Sequence, residues 1–168
     1  MQFLLHSLFA FALILSSCFT YGQNSSRKKV NKNNGNPLIG TWQLIEFANK
    51  DSLGNWIYPF GNYPKGFVTY TKSKIFNINM SSETPMVITE EESKTRPITL
   101  DEFLWKYSFG YFGTYAVDFK NSVVTHEVKG GTMPWFVGTD QQRPFILKGD
   151  TLIIGDNKTW KRVLIKAD

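Results

Sequence analysis

Residues 110–128, GYFGTYAVDFKNSVVTHEV, alternate apolar and polar side chains on both sides of a polar break at Lys120-Asn121. A two-residue turn there pairs Phe119 with Ser122, Val117 with Val124 and Tyr115 with His126 in an antiparallel hairpin. One face then carries Tyr111, Tyr115, Val117, Phe119, Val124, His126 and Val128; the other carries Thr114, Asp118, Thr125 and Glu127. Successive strand side chains point to opposite faces, so the apolar set belongs to a core and takes His126 and Tyr115 inward with it.

The same pattern extends in both directions. A turn at Gly149-Asp150 pairs Leu147 with Leu152 and Phe145 with Ile154, and puts Thr139, Gln141 and Arg143 on the face of Phe145 and Leu147. Short alternating runs predict strands near 39–48, 55–59, 66–71, 74–80, 110–119, 122–129, 137–147, 151–155 and 159–165. One helix is predicted over 100–108. Thr99 and Glu102 form a capping box, and Leu100, Phe103, Leu104 and Tyr107 recur at helical spacing. Glu90-Glu91-Glu92 reads as a solvated acidic stretch in the loop before it. About eight to nine strands and one short helix make an all-β fold, either a sandwich or a closed barrel. The barrel is favoured because closure removes exposed strand edges. From position 37 onward the chain also carries all 5 Trp and most of its Phe and Tyr, more than a thin sandwich core needs. A barrel of about eight strands is just wide enough to be filled by side chains or to hold one small ligand.

Composition narrows the function. The 168 residues suit one domain. Four of the 19 basic residues, Arg27, Lys28, Lys29 and Lys32, fall in one short stretch, and the remainder nearly balance the 14 acidic ones. The basic character therefore belongs to a tail, and a nucleic-acid partner is set aside. Cys18 is the sole cysteine and lies ahead of the folded body, which leaves no disulfide, thiol nucleophile or Cys-based metal site. His126 is the only histidine of that body, so no metal site is expected; with no Gly-rich phosphate loop, no cofactor is indicated either.

Phe3 to Leu15 is an apolar run too short for a comfortable membrane span and of signal-peptide length. Residues 1–22 are read as a signal peptide, 23–36 as a flexible polar tether, and 37–168 as the barrel domain. Two processing routes compete. Thr20-Tyr21-Gly22 offers a conventional cleavage site, whereas Leu15-Ser16-Ser17-Cys18 resembles a bacterial lipobox that would end the signal at Ser17 and acylate Cys18. The expected location is periplasmic or secreted, with outer-membrane anchoring through Cys18 as the lipoprotein outcome.

Several segments occur in order along the body: Leu38-Ile39-Gly40-Thr41-Trp42, Tyr58-Pro59-Phe60-Gly61, Pro64 to Tyr70, Gly113-Thr114-Tyr115, Val124 to Val128, Pro134 to Thr139, Gln142-Arg143, Leu147 to Leu152, and Trp160-Lys161-Arg162. Together they resemble the small bacterial and fungal lipocalin-like domain family across 38–163. The resemblance implies an antiparallel up-and-down calycin-like barrel. It also implies that Trp42 closes the narrow end under Arg162 in a cation–π stack. Two departures stand out: Lys72-Ser73 replaces a Gly-containing turn, and Pro144 removes a ladder donor, which predicts a bulge or an edge.

The leading functional expectation is an exported binding module for a small hydrophobic or amphipathic molecule. Aromatic walls would supply affinity, Tyr115, His126, Gln141 and Arg143 would orient the polar end, and Trp135 would stand at the rim or plug the mouth. A buried Arg143 needs a partner: Asp140, Asp156, Glu127, an aromatic ring, or a ligand carboxylate or enolate. The second expectation is an isomerase, cyclase or hydrolase with His126 as general acid–base and Arg143 on a developing oxyanion. The third is a cell-envelope structural or interaction protein with a solid interior. The oligomeric state is left open.

Overall fold

The computed structural model describes residues 35–100, 102 and 108–167. The leader over 1–22, Cys18 and nearly all of the tether lie outside the described residues, as does most of the helix expected over 100–108. The described part of that helix start agrees with the expectation, since the Glu102 N–H donates to Thr99 Oγ1 at 3.0 Å.

Nine strands form one antiparallel sheet: β1 (Gly40–Lys50), β2 (Trp56–Ile57), β3 (Lys65–Tyr70), β4 (Ile75–Ser81), β5 (Ser108–Asp118), β6 (Val123–Gly131), β7 (Asp140–Lys148), β8 (Thr151–Ile154) and β9 (Trp160–Lys166). From β3 to β9 each strand pairs with the next, β1 pairs with β3, and β1 pairs again with β9. The result is a closed eight-stranded barrel with β2 as a short extra strand on the end of β1. Closure leaves no long free edge.

Both hairpin registers follow from the alternation. Tyr115 faces His126 and Val117 faces Val124; Leu147 faces Leu152 and Phe145 faces Ile154. The first turn is longer than two residues, however. The ladder ends at Asp118 and Val123, and the Asp118 carboxylate accepts the N–H groups of Lys120 and Asn121. Phe119 thereby leaves the core face and stands 46% exposed at the barrel end. The core itself runs from Leu38 and Trp42 through Phe76, Ile78 and Val124 to Leu164.

Two bulges set which residues meet. Between β1 and β9 the register shifts at Ile45, so the inward set changes from Trp42 and Leu44 to Phe47, and Phe47 comes opposite Arg162. Between β5 and β6 the shift falls between Phe112 and Gly113, where Lys129 is the extra residue of β6. A methyl group on Gly113 would run into the Glu127 carbonyl oxygen. Pro144 stands on the part of β7 that has no β8 partner, the local edge that its missing donor predicts, and no bulge is needed. It lies beyond the last β7–β8 pair, where no ladder donor is required, and its carbonyl accepts from the Gly155 N–H at 2.8 Å. In the Lys72-Ser73 turn, Lys74 takes the left-handed conformation (φ 65°) that a glycine would otherwise supply.

Glu90-Glu91-Glu92 is not loop. It opens α1 (Glu90–Thr95), because Thr89 and Glu92 form a complete capping box and three carboxylates sit at the positive end of the helix dipole. Asn36, expected at the end of a flexible tether, is buried. Its side chain donates to Tyr115 Oη at 3.2 Å and accepts from the Leu38 N–H at 3.0 Å.

Gly113→Ala is expected to lower stability by about 3 kcal/mol, because backbone must move to admit the methyl group. Gly54→Ala, at φ 85° in open space, should cost only about 1 kcal/mol from its positive φ. Urea midpoints at unchanged m-value would measure both.

Candidate functional site

One end of the barrel is packed shut. Trp42 is buried there, its Nε1–H donating to the Leu38 carbonyl at 2.8 Å. The cation over its ring is Lys166, 4.9 Å from the centroid, which also donates to the Ile39 carbonyl. Arg162 does not stack on Trp42 as the resemblance implied. The β1 bulge aligns Arg162 with Phe47 instead, and its guanidinium lies 3.3 Å from that ring centroid. Tyr115 also belongs to the closed end: its hydroxyl donates to the Thr71 carbonyl at 2.8 Å, and its ring meets Tyr70 edge-on.

Toward the other end the side chains do not fill the interior. A cavity of about 230 Å³ remains, with walls from Phe47, Ile78, Met80, Phe109, Met133, Phe136 and Ile154, and with Tyr111, His126, Arg143, Trp160 and Arg162 supplying its polar and amphipathic groups. His126 forms the boundary between this cavity and the packed half.

His126 is fully buried. Its Nε2 is 2.9 Å from Tyr70 Oη, its Nδ1 is 3.4 Å from Tyr111 Oη, and its ring stacks on Phe76 with centroids 4.3 Å apart. Phe76 and His126 come from strands on either side of β5, and Gly113, which faces Phe76 in the register, adds no side chain between them. Burial, reinforced by the Arg143 charge, pushes the imidazole down to about 3, so it is neutral at pH 7. Burial raises the phenols too, Tyr70 well above its ordinary value.

The polar row expected on β7 is present. Gln141 faces His126 and Arg143 faces Val124 across the ladder. Thr139 Oγ1 accepts from Gln141 Nε2 at 2.6 Å, and Gln141 Oε1 accepts from Arg143 Nη2 at 2.9 Å. None of the carboxylates considered for Arg143 is its partner among the described residues. The guanidinium lies over Phe136 and Trp160 instead, at 5.5 and 5.7 Å. Arg162 lies over the same Trp160 ring at 5.3 Å. Burial first and the Arg143 charge second press the Arg162 guanidinium down to about 9, which leaves it cationic at pH 7.

Of the residues proposed from sequence, the structure brings His126 and Arg143 to the cavity wall, with Gln141 holding Arg143. Tyr115 sits apart in the closed end. Trp135 is 49% exposed on the 3-10 turn Pro134–Phe136, and its neighbour Phe136 points inward, edge-on to Tyr111. Phe136, Trp160 and the two phenols flanking His126 are site residues that sequence reasoning missed. Strand parity puts Tyr70 and Tyr111 inside, but only closure makes them neighbours of one imidazole. Among the described residues no cluster of His, Cys, Asp and Glu is disposed to hold a metal ion.

A family model described as a lipocalin-like domain matches residues 39–167. No curated protein matches the chain.

The buried imidazole makes stability depend on pH. Above pH 6.5 it is neutral whether the chain is folded or not. Between 6.5 and about 3 only the unfolded chain takes up the proton, so stability falls as pH falls, by up to about 1.4 kcal/mol per unit. His126→Gln keeps a donor and an acceptor for the two phenols but cannot titrate. The melting temperature of the natural protein should drop more steeply from pH 7 to pH 4 than that of His126→Gln. Parallel slopes would show that the imidazole is not held neutral.

Proposed function

The chain belongs to the lipocalin-like domain family, and from that premise we propose that its barrel holds one small hydrophobic or amphipathic molecule in the cavity beside His126. The carrying observation is the unfilled space of about 230 Å³ lined by aromatic and aliphatic side chains together with Tyr111, His126, Arg143 and Arg162. Apolar burial supplies affinity at about 25 cal/mol per Å² removed from water, and a few fixed polar groups orient the ligand. The volume is below the usual range for drug-sized ligands, roughly 300–1,000 Å³, so the guest is compact.

The geometry supports a carrier better than an enzyme. Each nitrogen of His126 already has a phenol as its partner, which leaves neither free to take a substrate proton. A general base must reach the proton it abstracts. The cavity also weighs against a solid-cored structural protein. With the signal peptide read over 1–22, the proposal includes export, so the guest is met outside the cytoplasm.

Native mass spectrometry of the chain purified from its own host is expected to reveal one co-purifying small molecule per protein. Ile78→Trp, which fills the cavity from β4, is expected to lose that adduct while keeping the β-sheet circular dichroism spectrum. A natural protein that carries no adduct and gains no thermal stability from any small apolar compound would remove the proposal.

A further inference from the structure

Arg143 and Arg162 reach the cavity from β7 and β9 and lie over one ring, Trp160. Among the described residues no carboxylate lines that cavity. The ion pairs of the described residues engage Lys94, Arg96, Lys129 and Lys161, and neither of these two arginines. Two guanidiniums in one partly dry space repel each other, and with no counter-charge against them among the described residues, holding them there is costly unless an anion joins them.

Their donors are incompletely used. Each guanidinium has five N–H groups. Arg162 directs Nη1 to the Ala48 and Lys161 carbonyls and to Asn49 Oδ1. Arg143 gives one bond, from Nη2 to Gln141 Oε1. Among the described residues no side-chain nitrogen or oxygen is both sealed from solvent and without a partner. The remaining guanidinium donors therefore face open space.

The phenols add a further donor. A neutral imidazole has one bare nitrogen and one N–H. Tyr70 is enclosed, and its contact with His126 Nε2 is its hydrogen bond among the described residues. Its O–H therefore donates to Nε2, since the alternative would strand a buried hydroxyl proton. The imidazole proton then sits on Nδ1 and points at the Tyr111 oxygen. That oxygen accepts, and its own O–H is directed onward at the cavity wall. The polar side of the cavity is thus two cations and a hydroxyl donor.

We infer that the guest is a compact organic carboxylate, its anion held by Arg143, Arg162 and the Tyr111 hydroxyl and its apolar body lying against Ile78, Met80 and Phe136. The inference rests on reading the cavity as a ligand site and adds the charge and size of the ligand. A carboxylate accepts from two guanidiniums at once, and a volume of about 230 Å³ suits an aryl or short-chain acid better than a long acyl chain.

Calorimetry with the full chain tests this with 4-phenylbutanoate, 4-phenylbutan-1-ol and hexadecanoate at pH 7.5. The carboxylate is expected to bind at least tenfold more tightly than the alcohol. The advantage should shrink at 500 mM salt and vanish in Arg143→Gln and Arg162→Gln. If either variant fails to fold, the acid–alcohol comparison on the natural protein decides. Equal affinity for acid and alcohol would overturn the anion site and leave the binding reading intact. Absence of binding by all three would overturn both. Hexadecanoate binding more tightly than 4-phenylbutanoate would overturn the compact ligand.

Discussion

The antiparallel pairing of β1 with β9 is the contact on which the interior depends. It removes both sheet edges and bends every inward row toward one axis. It is also not uniform. The extra residue at Ile45 changes which side chains of β1 point inward, so Trp42 meets Lys166 at one end while Phe47 meets Arg162 toward the other. One bulge thus divides the barrel into a closed half, sealed by an indole under an ammonium group, and an open half with a guanidinium against a phenyl ring.

His126 stands where the two halves meet. An imidazole in that position is stabilised only if both nitrogens find partners, and two phenols from β3 and β5 provide them. The aromatic stack on Phe76 fixes the ring plane. Desolvation keeps the group neutral, so among the described residues that line the cavity the positive charge is that of Arg143 and Arg162. The electrostatic character of the cavity follows from this split, with a neutral histidine acting as scaffold and two arginines left facing the space.

Much of this was legible along the chain. The alternation in 110–128 gave the pairing of Tyr115 with His126 although its turn is longer than the two residues assumed, because the hydrophobic parity of the strands sets the register whatever the turn length. Phe119 shows the limit of that argument: parity holds only while the residue remains in the ladder. Thr89 and Glu92 carry the same capping pattern as Thr99 and Glu102, but three consecutive glutamates read as solvated charge and mask it. The resemblance implies Arg162 on Trp42, whereas a single extra residue in β1 puts Phe47 opposite it. No local signal marks such a bulge, since its cause is the fit between two strands more than a hundred residues apart in sequence.

By itself, the sequence determined the strand positions, both hairpin registers, and the inward direction of His126 and Arg143. Those properties depend on period-two alternation and on turns, which are local. The tertiary structure alone decided that Tyr70 and Tyr111 share one imidazole, that Arg143 and Arg162 share one indole, and that Tyr115 serves the floor and leaves the cavity to others. These are relations across the barrel axis, and they arise only when the first and last strands join and bring distant faces within bonding distance.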